Sequence, residues 1–207
     1  DKIEVIYQGC APVFKEEIPS EFIELTRSKY QLQNQFILNV GTIETRKNVL
    51  SVIKAIKEID TQLVIIGKKT AYYKELNSYI LENNIQNKVI FLENVELKEL
   101  ASIYRMASVF IYPSIFEGFG IPIIEALYSK TPVITSKGGC FSEAGGENSI
   151  YIDPLNPEEL KIEIKDLLVN SEKRESMKKK GFEFVQKFND ENIARNWIET
   201  YNKILKI

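Results

Sequence analysis

The chain has 207 residues, 44% of them hydrophobic and 27% charged, with a formal net charge of −2. That length suits one large domain or two small ones with an ample core, and the charge balance argues against nonspecific binding to nucleic acid or an anionic membrane. No apolar run approaches the roughly 20 residues of a membrane span, no signal peptide is visible, and the absence of histidine removes Ser-His-Asp and Cys-His catalysis and histidine metal sites from this chain.

Residues 2–6 read as a strand, and because the chain opens at Asp1 without methionine we expect a piece of a longer protein whose N-terminal partner lies outside it. Residues 7–12 read as a turn, and residues 20–29 as a short helix in an otherwise polar stretch. Residues 36–41 (FILNVG) predict a strand ending in glycine, followed by a helix marked by Val49, Val52, Ile53, Ile56 and Ile59. Residues 63–67 predict a second strand and residues 71–84 a helix. Residues 88–92 predict a third strand, and Leu97, Leu100, Ile103, Tyr104 and Ala107 mark the helix after it. Residues 108–114 predict a buried strand ending in a turn, with a glycine-rich turn and an apolar helix start next. A fifth strand is expected at 131–135 and a short sixth at 149–152. From Pro157 the chain reads as helical, with proline and acids in the first turn. Residues 173–180 are a basic run, expected to be a solvated helix face. A last helix at about 190–206 carries Ile193, Trp197, Ile198, Tyr201 and Leu205 as a stripe that needs cover.

Strands alternating with helices at this spacing predict an α/β fold, a Rossmann-like parallel sheet with helices on both faces. The expected divisions are a linker segment at 1–35, the α/β domain at 36–188 and the C-terminal helix at 189–207. Cys10 and Cys140 are the only cysteines. They make neither a disulfide framework nor a zinc site, and we expect small buried or half-buried residues in a reducing compartment.

The most informative segment is residues 116–126 (FEGFGIPIIEA), in which Glu117 and Glu125 flank a glycine turn and a helix start. Strand, glycine turn and helix together place backbone N–H groups and a helix N-terminus at the carboxyl edge of a sheet, where anions bind. Glu125 lies between Ile124 and Ala126, and a buried carboxylate needs donors such as sugar or ribose hydroxyls. Residues 40–48 (VGTIETRKN) are neither a dinucleotide fingerprint nor a Walker A loop. They do put Arg46 and Lys47 at the carboxyl edge of the first strand, where ligands bind in open α/β sheets. Two carboxylates beside phosphate-binding cations suit a ligand that mixes hydroxyls with phosphates, such as a sugar nucleotide. Paired carboxylates could also mean glycoside hydrolysis, but that leaves the glycine turn and the cations unused.

Residues 40–48, 100–107, 112–126 and 132–136, in that order, resemble the C-terminal, donor-binding half of retaining GT-B glycosyltransferases of the glycogen synthase and mannosyltransferase-like group, family 4. The likeness spans about residues 3–170. Residues 7–10 stand where that family has its interdomain linker turn. The resemblance implies that Glu117 holds hydroxyls of the transferred sugar, and that Arg46 and Lys47 neutralise the leaving diphosphate. It implies further that the backbone at Gly118, Phe119, Gly120 and Ile121 meets sugar and diphosphate, that Glu125 takes the ribose hydroxyls, and that Gly41, Thr42, Asn94, Val95 and Leu97 border the nucleotide. Thr42 stands where many members carry arginine. Glu93 and Asn94 replace a common glycine, and Lys130 stands where glycine is frequent. No D-x-D motif occurs, which fits chemistry without a metal or other cofactor in this family.

The implied reaction is transfer of a hexose, with retention, from a UDP- or GDP-sugar to a saccharide or lipid-linked acceptor, as in envelope polysaccharide synthesis. The implied partners are that donor, that acceptor and an N-terminal domain of the same chain. The implied location is cytoplasmic, at most peripheral at the inner membrane face. Two alternatives stay open: a sugar-nucleotide epimerase or hydrolase of similar architecture, and a non-catalytic nucleotide-sugar-binding module.

Overall fold

The computed structural model describes residues 3–205; Asp1 and Lys2 at the head of the expected first strand, and Lys206 at the tail of the expected last helix, lie outside them. Among the described residues six strands form one parallel sheet: β1 (Phe36–Val40), β2 (Gln62–Ile66), β3 (Val89–Leu92), β4 (Val109–Tyr112), β5 (Val133–Ser136) and β6 (Ile150–Ile152). Their order is β3-β2-β1-β4-β5-β6. Register is set by pairs such as Ile37 with Leu63 and Leu38 with Phe110.

Alternation along each strand divides the core in two. Phe36, Leu38, Val64, Ile66, Phe110 and Tyr112 point to one face. Ile37, Leu63, Ile65, Val109, Ile111 and Ile134 point to the other. The first face is covered by α1 (Ser20–Tyr30), α4 (Leu97–Met106), α5 (Ile121–Tyr128), the short α6 (Phe141–Gly145) and the end of α8 (Ser171–Val185). The second is covered by α2 (Val49–Ile56), α3 (Tyr73–Glu82) and α7 (Pro157–Val169). Strands buried on both sides are the reason their sequences run apolar without a break.

Local signals explain the element ends. Glu96 and Glu99 form a reciprocal capping box at the start of α4. The Asn156 side chain accepts the Glu159 N–H, with Pro157 at the first helical position of α7. Two expectations need correction. Residues 3–6 carry no strand, because no neighbouring strand edge reaches them, and Ile3 and Val5 are exposed. Ile59 lies beyond the end of α2, yet it stays buried in the second core. The stretch ahead of β1 packs onto the sheet, with Phe14, Ile18 and Leu32 in the first core. The last helix, α9 (Asp190–Leu205), buries none of its described residues, and Trp197, Ile198 and Tyr201 are about half exposed. The basic run lies on α8, where Lys173 pairs with Asp166 at 2.7 Å and Lys178 with Glu175 at 2.7 Å. No helix among the described residues is long and apolar enough to cross a membrane.

Candidate functional site

β1 and β4 are neighbours in the sheet, but their following helices cover opposite faces. The crevice outside their carboxyl ends is the switch point where open α/β sheets bind ligands. The loops there are sewn together. The Ile115 N–H donates to the Arg46 carbonyl at 2.8 Å, and the Asn48 amide donates to the carbonyls of Pro113 and Pro154.

That stitching brings three predicted residues into one cluster. Lys47 Nζ lies 2.6 Å from Glu117 Oε1, and Arg46 lies 3.0 Å from the same oxygen. The side chains of Lys47 and Glu117 are 11% and 10% exposed, so the pair is shielded from water. Lys47 also donates to the Tyr112 hydroxyl at 2.7 Å. An ammonium has three N–H donors; with two engaged, the third remains to serve a ligand. Burial pushes the Glu117 carboxyl up, but hydrogen bonding from Lys47 first, then from the Ser114 and Tyr112 hydroxyls, together with the lysine charge, outweighs that and holds it below the usual carboxylate range. The resemblance gave Glu117 to the sugar and the cations to the diphosphate; the geometry makes them a single ion-paired unit. Tyr112 opens the segment 112–126 that carries the resemblance, but the sequence assigned it no role.

Glu125 sits apart from this cluster on α5, where the Tyr104 hydroxyl donates to it at 3.0 Å. Burial raises its pKa, and the Tyr104 hydrogen bond only partly offsets this. A carboxyl whose folded pKa exceeds the unfolded one loses stability as pH rises between the two values, because the unfolded chain releases its proton first. Glu125→Gln is therefore expected to melt above the native chain at neutral pH. The gap should close below roughly pH 4, where glutamate is protonated in both states. Thermal melts showing the same gap at both pH values would exclude the buried charge as its cause.

Between β1, β2 and β3 a cleft of about 650 Å³ opens at the same edge, lined by Gly41, Thr42, Gly67, Lys68, Glu93, Asn94 and Val95 among others. Four predicted residues, Gly41, Thr42, Asn94 and Val95, thus meet in it. Leu97 does not line it; at the first turn of α4 it is 51% exposed. Lys47 joins cleft and cluster, since a Cβ placed on Gly41 would lie 3.6 Å from the lysine side chain. Lys68 and Glu93 are additions that sequence reading missed as site residues, and Glu93 is held by the Lys69 N–H at 2.9 Å.

At the head of α5 the turn is held by packing. Phe119 stacks on Tyr7, with centroids 5.2 Å apart, and meets Phe188 edge-on. Tyr7 in turn donates to Glu143 at 2.9 Å. Gly120 has φ +103°, and an added Cβ would meet Ile123 Cδ1 at 3.2 Å. Gly120→Ala is expected to cost about 2 kcal/mol for an L-residue in that region, read as a lower urea midpoint at unchanged slope. Among the described residues the N–H groups of Phe119, Gly120 and Ile121 have no acceptor, as expected for a helix start able to receive an anion. Cys10 and Cys140 are free and half-buried. Burial raises both thiols, Cys10 to about 12. Among the described residues no group of three or more Cys, Asp or Glu is placed to hold a metal ion.

Residues 23–184 match the model of the group 1 glycosyl transferases. The chain is 35% identical over 169 residues to the O-antigen chain mannosyltransferase RfbU of Salmonella typhimurium, covering 81% of this chain and 44% of that protein. In fold it is similar to a glycosyltransferase of Rickettsia africae, with TM-score 0.89 and 22% identity over 99% of this chain and 58% of that one. It is similar also to Anabaena HepE solved in complex with UDP and glucose, with TM-score 0.86 and 22% identity over 97% of this chain and 57% of that one. The chain spans about half the length of these proteins.

Proposed function

The chain belongs to the group 1 glycosyl transferases, and on that footing we propose that it is the donor-binding half of a retaining hexosyltransferase that needs no metal. The observation that carries this reading is the convergence of Arg46, Lys47 and Glu117 between the cleft and the free N–H groups of α5. The nucleotide occupies the cleft bordered by Gly41, Thr42, Asn94 and Val95, and its ribose hydroxyls donate to Glu125. The diphosphate lies between the third Lys47 donor, Arg46 and the head of α5. As the bond from the anomeric carbon to the diphosphate breaks, negative charge grows on the leaving oxygen, and these preorganised cations and dipoles stabilise it. Glu117 keeps both cations in place, and its remaining oxygen faces the sugar hydroxyls. The donor is a UDP- or GDP-hexose and the acceptor a saccharide or lipid-linked sugar; the likeness to RfbU supports a role in surface polysaccharide assembly, and the UDP complex of HepE supports a nucleotide-sugar donor.

Calorimetric titration of the chain with UDP, GDP and ADP, without added metal, tests the reading. One nucleotide is expected to bind in the micromolar to millimolar range. Glu125→Ala should weaken it about tenfold or more, the worth of a hydrogen bond to a charged group. Failure of all three to bind, or binding indifferent to Glu125, would remove the donor assignment.

The uncovered face of α9, with Trp197 and Tyr201 5.7 Å apart, extends toward Ile3 and Val5 through the Lys203–Glu4 ion pair at 3.1 Å. In this proposal that face seats the N-terminal half of the full-length protein. Hydrogen exchange of α9 is expected to slow in the full-length protein relative to this chain, and equal rates in both would discard the contact.

A further inference from the structure

The cleft between β1, β2 and β3 carries a charge that the phosphates of a nucleotide do not explain. Glu93, just past the end of β3, lines it, although the proposed ligand is itself an anion. A carboxylate in a site for an anion weakens binding unless the ligand brings donors to it. The geometry leaves this one available. Oε1 accepts the Lys69 N–H at 2.9 Å, and Oε2 lies 3.5 Å from Lys69 Nζ. An ionised carboxyl has about four acceptor positions, so part of its capacity is unspent, and 34% of the side chain is exposed. The Lys69 N–H holds the group below its ordinary pKa, and the lysine ammonium adds to this. It is therefore ionised and acceptor-only at neutral pH.

The groups around it complete a pattern. Lys68 lines the cleft, is exposed, and stands close enough that its charge acts on Glu93. Asn94, in a left-handed turn with φ +55°, lines the cleft as well and carries amide donors. Val40, Ile66 and Val95 supply apolar walls. Acceptors beside donors, between apolar walls, suit the hydrogen-bonding edge and the flat faces of a nucleobase.

We propose that the donor is a guanosine diphosphate sugar whose base is read by Glu93; this rests on the reading of the cleft as the nucleotide site. Guanine presents two adjacent donors, N1–H and the N2 amino group, beside the O6 acceptor. The two donors meet the Glu93 carboxylate, and O6 accepts from Lys68 or Asn94. Among the common nucleobases only guanine has two neighbouring donors on that edge. Uracil sets N3–H between two carbonyl oxygens, and adenine sets its amino group beside the N1 lone pair. Either one would turn a lone pair toward the carboxylate. That repulsion excludes the wrong base, while the paired contact selects the right one.

Titration of this chain with GDP, IDP, UDP and ADP tests the assignment. The base of IDP keeps N1–H and O6 but lacks the N2 amino group. GDP is expected to bind at least about tenfold more tightly than UDP or ADP, and about tenfold more tightly than IDP, the worth of one hydrogen bond to a charged group. Glu93→Gln keeps an oxygen for the Lys69 N–H, so its melting temperature should stay close to native. It also turns an amide N–H group toward the base, so GDP and IDP should bind the variant alike. Tighter binding of UDP or ADP, equal binding of GDP and IDP by the native chain, or a preference for GDP over IDP that survives in Glu93→Gln would overturn the guanine assignment and leave the donor site standing. Failure of all four diphosphates to bind would remove both.

Discussion

Lys47→Met in the full-length enzyme is expected to lower kcat by about 10²- to 10³-fold, the scale observed when one preorganised donor to a developing anion is removed. Two contacts make the effect this large. The ammonium sits between Glu117 Oε1 and the Tyr112 hydroxyl with little exposure, so no other side chain can take its place. Its removal also leaves the Glu117 carboxylate buried with only half-exposed Arg46 opposite. Glu117→Gln should cost nearly as much activity, because the cations lose the charge that positions them. The double variant should then be little worse than either single one, as expected for residues that act as a unit. Additive losses would mean that Glu117 serves the sugar independently and that the ion pair is incidental.

The same pair carries a pH signature. Glu117 is held below its ordinary pKa in the fold, so the stability it contributes is present above the unfolded value near 4.3 and is lost as pH falls through the folded value. The native chain should therefore be more stable than Glu117→Gln at neutral pH, and the difference should shrink on acidification below roughly pH 4. Glu125 has the opposite sign. Its variant gains at neutral pH because burial raises its pKa, so the two glutamates can be distinguished by thermal melts alone.

Gly67→Ala is expected to cost about 3 kcal/mol or more in stability and to abolish nucleotide binding. A Cβ at Gly67 would lie 1.9 Å from the carbonyl oxygen of Gly41. Backbone cannot rotate away as a flexible side chain would, so the ends of β1 and β2 must part. Their separation would strain the Gly41 N–H to Ile66 bond at 2.9 Å and the Ile43 N–H to Lys68 bond at 3.0 Å. Both glycines line the cleft, and a displaced Gly41 carries Lys47 with it. A lower denaturation midpoint with normal nucleotide affinity would show that the cleft tolerates the shift and that the close approach serves the sheet alone.

Much of this was legible in the chain, for identifiable reasons. The largely apolar runs at 36–41, 63–67 and 108–114 read as strands buried on both sides, and the 3.6-residue spacing between them marks the covering helices. Glycines and prolines punctuate the element ends. Glu117 and Glu125 stood out as carboxylates embedded in apolar sequence, and Arg46 and Lys47 by their place at the carboxyl edge of the first strand. The strand expected at 2–6 was misjudged over its described residues, 3–6, because alternation describes a strand only if a neighbouring edge exists to pair with it. The resemblance set Leu97 beside the base with Asn94 and Val95, yet at the first turn of α4 it is half exposed and does not line the cleft that those two residues share.

By itself the sequence determined the parallel α/β architecture, and it pointed to the sheet edge of the proposed site and to the residue types gathered there, because each follows from local periodicity and from turn chemistry. Only the tertiary structure decided which of those residues meet. The strand order places β1 beside β4, and that adjacency joins Lys47 to Glu117 across 70 positions of chain and to Tyr112 across 65. It likewise gives Glu125 its Tyr104 partner. Contacts between distant segments are set by how two faces of a sheet pack, and no local pattern in the chain encodes that packing.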